Sequence, residues 1–209
     1  MIEPKDLVFV VDDDPSACAA IEGLLRSAGF SASSFRSARD FLGKQPSDGA
    51  ACLILGVGLP DISGLELQRE LAVRALPLPI IFISAHGDIP TTSVPAIKAG
   101  AVGFLLKPFC DHDLFEAVRE ALDSAHQARR AGSSLAELRA RHASLTPRQR
   151  QVLDHVVAGL LNKQIAYELG IAETTVKIHR GQVMRKMHAK SVADLVRMAE
   201  SVGVLRSSL

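Results

Sequence analysis

Four short apolar runs, Leu7 to Val11, Ala51 to Leu55, Ile80 to Ser84 and Gly103 to Leu106, punctuate the first 124 residues, and amphipathic stretches fill the intervals between them. Runs that are continuously apolar rather than alternating belong to strands covered on both faces, as in a parallel sheet. A weaker candidate, Ser31 to Phe35, follows the helix stop Ala28-Gly29. It completes five strands and five helices in strict alternation, the last helix starting near Asp111. The order specifies a doubly wound α/β domain, whose functional side chains gather beyond the carboxyl ends of the strands.

Three of the four run ends carry chemistry. The first is followed by Asp12, Asp13 and Asp14, then by Pro15, a residue suited to the first turn of a helix. Adjacent carboxylates repel, so the cluster reads either as a ligand set for a hard cation or as acidic residues favoured by a helix N-terminus. The fourth strand ends in the hydroxyl of Ser84, and the fifth leads into Lys107-Pro108-Phe109. Carboxylates, a hydroxyl and an ammonium at one sheet edge can together hold a divalent cation and a phosphoryl group.

A chain of 209 residues exceeds one domain of about 100 to 150. The formal charge of +1 conceals a division at residue 124: residues 1–124 hold 10 Lys and Arg against 17 Asp and Glu, a net of −7, whereas residues 125–209 hold 14 against 6, a net of +8. A basic module that binds a polyanion is thereby joined to an acidic one that does not, unless both are ordinary solvated surfaces. With 47% hydrophobic and 22% charged residues the chain can build an aliphatic core, which excludes a disordered polymer. Cys18, Cys52 and Cys110 are odd in number and lack metal-site spacing, so neither a disulfide framework nor a zinc site is expected. With no apolar run of membrane-spanning length and no signal pattern in MIEPKDL, the expected location is the cytoplasm.

The expected division is 1–124 for the α/β domain, 125–143 for a partly helical linker and 144–209 for a second domain. In the linker Gly132-Ser133-Ser134 interrupts two helix-compatible stretches, and Leu135 and Leu138 suit a short amphipathic helix. From Leu145 the pattern is all helix. Thr146-Pro147 reads as an N-cap with Pro at N1, Gly159 ends that helix, Asn162 caps a second, and Glu173 starts a third running to about Met187. Val176, Val183 and Met187 then face inward. Thr174, Lys177, Ile178, Gly181, Gln182 and Arg185 lie on the outward side, a slim basic face that fits a DNA major groove. A generic helical bundle shows the same amphipathicity.

The segments VVDDDPS, LILGVGLPDISGLEL, IIFISAHGDIP and AGAVGFLLKPF resemble the receiver domain of two-component response regulators over residues 6 to about 124. That family has the flavodoxin-like doubly wound fold. The resemblance places a phosphoacceptor Asp at the end of the third strand, and there this chain has Gly56, fixed by Leu53-Ile54-Leu55 before it and Leu59-Pro60 with Ser63-Gly64 after it. Asp61 cannot be brought into the pocket by a shift of register. Gly56 can form neither an acyl phosphate nor a carboxylate–metal bond. No cofactor is expected beyond weak or no Mg²⁺ binding through Asp13, with Asp12 beside it; alternatively Lys107 bridges Asp12 and Asp13 as a structural salt bridge. The resemblance makes Ser84 the hydroxyl switch residue and Phe104 the aromatic one, unless Phe104 is plain core. Pro95, inside the expected fourth helix, implies that this helix is kinked, late-starting or short.

The stretch from LTPRQRQVLDHVV to KSVADLVRMA resembles the LuxR-type DNA-binding domain of the FixJ and NarL regulators, an all-α four-helix helix-turn-helix fold. It implies base-edge contacts from Lys177, Ile178 and Gly181. Asn162, Lys163, Thr175, His179, Arg180 and Arg185 are implied as phosphate contacts or as residues that orient the helix, with Lys163 and Arg185 foremost. The last helix, Ser191 to about Val202, resembles the family's DNA-dependent dimer element, unless its apolar Val192, Leu195, Val196 and Ala199 are only core. The expected function is a sequence-specific regulator of transcription, dimeric on duplex DNA and independent of phosphorylation at position 56. Two alternatives stand beside it: a receiver that titrates a histidine kinase or another regulator, and a regulator whose acceptor was removed by deliberate replacement. An enzyme is disfavoured, because no nucleophile stands at position 56.

Overall fold

The structure, a computed structural model, describes residues 6–44, 50–74, 76, 78–85 and 100–204. The N-terminal unit runs β1 (Leu7–Val11), α1 (Pro15–Ser27), β2 (Ser31–Phe35), α2 (Ala38–Leu42), β3 (Ala51–Gly56), α3 (Gly64–Val73), β4 (Ile80–Ser84) and β5 (Gly103–Leu106), followed by α4 (Asp111–Ala143). All strand pairs are parallel, in the order β2-β1-β3-β4-β5. The segment 90–98, with Pro95, lies outside the described residues.

Successive side chains of a strand point to opposite faces, so a sheet buried on both sides needs apolar residues throughout. On one face Val8, Val10, Ile54, Ile81 and Ile83 pack against Ile21 and Leu25 of α1 and Leu114, Val118 and Leu122 of α4. On the other, Phe9, Val11, Leu53, Leu55 and Phe82 meet Phe41 of α2 and Leu67 and Leu71 of α3. Central β3 is buried along its whole length. Gly64 lets α3 start hard against the end of β3: a Cβ there would stand 2.4 Å from the Gly56 carbonyl oxygen.

The C-terminal unit comprises α5 (Pro147–Val157), α6 (Asn162–Leu169), α7 (Glu173–Met187) and α8 (Val192–Ser201). Its core is Leu145, Val152, Leu153, Val156, Ile165, Val176, Val183, Met187, Leu195 and Ala199. Between α6 and α7 Gly170 adopts φ 63°, a left-handed turn that L side chains resist.

Two sequence expectations need correction. Gly132-Ser133-Ser134 does not interrupt the chain, because α4 is one helix of 33 residues. Gly and Ser cost a helix about 1 kcal/mol or less each. Here strong helix formers flank them, α4 is anchored by Leu114 to Ala125 in the N-terminal core, and Leu138 packs on the C-terminal core. Asp111 and Asp113 in its first turn and Arg141 and His142 in its last also suit the helix dipole. By its contacts the chain divides into units 1–129 and 130–209. Second, Asn162 does not cap α6: Leu161 holds that position, and the Leu161 N–H donates to Gln164 Oε1 at 2.7 Å. Asn162, one residue inside, turns its Oδ1 to Arg180 Nη1 at 2.8 Å instead.

Candidate functional site

Strand register brings the sequence-predicted pocket residues together. Val11 pairs with Leu55, so Asp12 and Gly56 leave the sheet side by side. Ser84 ends the neighbouring β4, and the Lys107 N–H donates to its carbonyl at 2.8 Å. Lys107 Nζ reaches across to Asp12 Oδ2 at 2.6 Å, where the Asp12 side chain is only 3% exposed. The other Asp12 oxygen accepts from the Asp14 N–H at 3.1 Å.

The three aspartates therefore do different things. Asp12 is the buried partner of Lys107, Asp13 is exposed, and Asp14 caps α1 by accepting from the Ser16 N–H at 2.8 Å. The ion pair includes Asp12 alone, not Asp13. It also fills the space beside Gly56: a Cβ there would lie 3.0 Å from Asp12 Oδ2 and 3.3 Å from the Val11 carbonyl. A divalent cation of the kind receivers use wants several hard oxygen ligands. This edge offers one exposed carboxylate, one already neutralised by an ammonium, and main chain at position 56. Among the described residues no three His, Cys, Asp or Glu form a metal-binding group. The donor set does not fit such an ion.

Ser84 is 4% exposed and its hydroxyl donates to the Ala85 carbonyl at 3.3 Å. Phe104 is half-buried against the core around Phe82. Asp61 serves the loop instead of the pocket, its two oxygens accepting from the Ala38 and Arg39 N–H groups at 3.2 and 2.9 Å. Burial raises its carboxyl, but the main-chain donors of Arg39, Ala38 and Ile62 outweigh that and hold it below the ordinary value. A lowered pKa means that the ionised form is favoured by folding, so its contribution is present above the unfolded pKa and lost as pH falls through the folded one. The stability difference between wild type and Asp61→Asn, followed by urea titration, is expected to shrink as pH falls below the ordinary carboxylate range. A difference that stays constant across that range would refute the role.

The second constellation lies on α6 and α7. Thr174, Lys177, Ile178, Gly181 and Arg185 are exposed, Ile178 at 60%, and Thr175 is half-buried. Lys163 is exposed on α6. Lys177 is held in an ion pair with Glu173 one turn earlier, at 3.3 Å. A Cβ at Gly181 would meet nothing within 4 Å, so the surface there is open. His179 and Arg180 are half-buried, Arg180 being engaged with Asn162. Gln182 differs from its outward assignment: it is half-buried and accepts at Oε1 from Gln149 Nε2 at 3.0 Å. Sequence reasoning passed over Gln149, although Thr146-x-x-Gln149 has capping-box spacing and that box is present. It also passed over Arg148, whose Nη2 donates to the Leu169 carbonyl at 2.7 Å and so closes the end of α6.

Comparison with known proteins identifies the two domains. Residues 8–119 match the response regulator receiver domain, and residues 143–199 match the bacterial regulatory proteins of the luxR family. Nodulation protein W of Bradyrhizobium diazoefficiens is 48% identical over 96% of this chain and 88% of its own length. The transcriptional regulatory protein FixJ of the same organism is 39% identical over 96% of this chain and 98% of its own. Among solved structures, the response regulator StyR matches with a TM-score of 0.83 at 46% identity, covering 94% of this chain and 99% of that one. No helix among the described residues is long and apolar enough to cross a membrane. A receiver sheet followed by a LuxR-type helix-turn-helix unit, matched nearly end to end by these relatives, shows that the chain belongs to the FixJ-like response regulators, DNA-binding regulators of transcription.

Proposed function

We propose that this regulator binds duplex DNA as a homodimer, with α7 in the major groove, and does so without phosphorylation at position 56. The observation that carries the second part is the register that sets Gly56 beside a closed Asp12–Lys107 pair. A backbone with no side-chain oxygen cannot accept a phosphoryl group, and with Asp12 paired to Lys107 only the exposed Asp13 is left to hold a cation. Lys177 suits a guanine acceptor, Ile178 a thymine methyl, and Gly181 lets the backbone approach. Lys163 and Arg185 suit phosphates, with Asn162, Thr174 and Thr175 at the edges of the contact. Leu195 and Ala199 of α8 belong to the core, so the dimer contact falls to its exposed side with Val192, which is 40% exposed.

The test is capture of genomic DNA fragments by the full chain, with and without acetyl phosphate and Mg²⁺. The same fragments at the same affinity are expected in both conditions. Phosphodonor-dependent tightening would overturn the reading. At the interface, Lys163→Ala and Arg185→Ala are each expected to weaken binding across all sequences and to reduce the slope of log affinity against log salt by about 1. Lys177→Ala is expected to relax base preference, at about 1 to 3 kcal/mol of discrimination. Binding curves for cognate and scrambled duplexes across a KCl series distinguish these outcomes.

A further inference from the structure

We infer that Gln182 is a further DNA contact, presenting its side-chain NH₂ group rather than its oxygen to a backbone phosphate, and that buried Gln149 is the positioning residue that sets this polarity; the inference rests on the DNA-binding reading of α7. One main-chain group dictates the orientation. The Thr146 N–H can only donate, so its partner at 3.0 Å is the Oε1 oxygen of Gln149. The far side of that amide is then Nε2, a pure donor, and Gln182 can meet it only with its own oxygen, at 3.0 Å. What remains of Gln182 is Nε2, a donor.

Gln149 is well fixed for this purpose. It is 5% exposed, and its own N–H donates to Thr146 Oγ1 at 3.3 Å. Gln182 is half-buried at the rim of the outward face, about 40° around the axis from Ile178 and close to the direction of Thr175. Groups at the rim of a groove-bound helix meet the sugar-phosphate backbone, whose oxygens are acceptors only, so a donor binds there and an oxygen repels.

The test uses the full chain and a duplex that the wild type selects from a random-sequence pool, with affinity measured at several salt concentrations. Gln182→Leu removes the donor and is expected to weaken binding about tenfold. Its salt slope should be unchanged, because a neutral amide displaces no counterion. Gln149→Glu still accepts from the Thr146 N–H, but its second oxygen draws Gln182 Nε2 inward and turns the Gln182 oxygen outward. It is expected to lose at least as much affinity while remaining folded, with a cooperative thermal transition, since the capping box is retained. In the Gln182→Leu background, Gln149→Glu is expected to change affinity little further. Full additivity there would mean that the new charge acts directly and would overturn the relay. Unchanged affinity in Gln182→Leu would overturn the contact. A wild type that selects no duplex would instead remove the DNA-binding reading on which both depend.

Discussion

Replacing Lys107 by Met is expected to lower the stability of the N-terminal unit by about 2 kcal/mol, the cost of leaving a buried carboxylate without its counter-charge. Asp12 has 3% of its side chain exposed and its remaining hydrogen bond comes from one N–H, so it cannot recover full hydration in place. The value lies below the range of about 3 to 5 kcal/mol for a broken, fully buried pair because Lys107 itself is 30% exposed and its removal admits some water. Pairing the change with Asp12→Asn removes the orphaned charge and is expected to restore most of the loss. Urea unfolding followed by circular dichroism on the four chains of the cycle measures the coupling. A Lys107→Met chain as stable as wild type would mean that Asp12 is solvated after all, and that the pair is incidental.

Introducing the missing carboxylate should act in the same direction, by adding a negative charge beside Asp12 rather than removing a positive one. Gly56→Asp is expected to be less stable than wild type by about 1 to 2 kcal/mol in the presence of a chelator, because the new side chain is built 3.0 Å from Asp12 Oδ2. Unit charges about 4 Å apart interact by about 4 kcal/mol at an effective dielectric near 20, an upper bound that Lys107 and rotamer choice reduce. Millimolar Mg²⁺ is expected to raise the melting temperature of the variant and to leave the wild type where it was. Acetyl phosphate with Mg²⁺ is expected to add one phosphoryl group to the variant alone, read by intact-protein mass. Labelling of the wild type would identify another acceptor and defeat phosphorylation-independent control; an unlabelled variant would show that more of the pocket than position 56 has diverged.

The parallel sheet was legible because both faces of its central strands β1, β3 and β4 are covered, which forces those strands to be continuously apolar, whereas edge strand β2, with three serines, gave only a weak signal. Its connections also announce themselves, with Asp14-Pro15, Ala28-Gly29 and Ser63-Gly64. The limits of α5 and the start of α7 were legible for the same local reason, in the Thr146-Pro147 start, Gly159 and Gly170. What the sequence did not disclose lies in partner choice between distant side chains. Three adjacent aspartates look equivalent on paper; only the fold buries Asp12 against Lys107, leaves Asp13 in water and spends Asp14 on a helix end. Gln182 looks outward by helical angle alone, and only the position of Gln149 across the helix pair shows which of its atoms is taken. The continuity of α4 through Gly132-Ser133-Ser134 was missed because local propensity argues for a break, whereas tertiary anchoring of its two ends decides the matter.

The bare backbone at Gly56 also bears on time. An acyl phosphate is a mixed anhydride that water cleaves, so a regulator marked in that way carries its own clock, started by a donor and stopped by hydrolysis. Under the proposed reading this chain has no such clock. Its message would persist as long as the molecule itself, and would fade only through proteolysis and dilution by growth, so that its response time is set by turnover of the protein rather than by turnover of a bond.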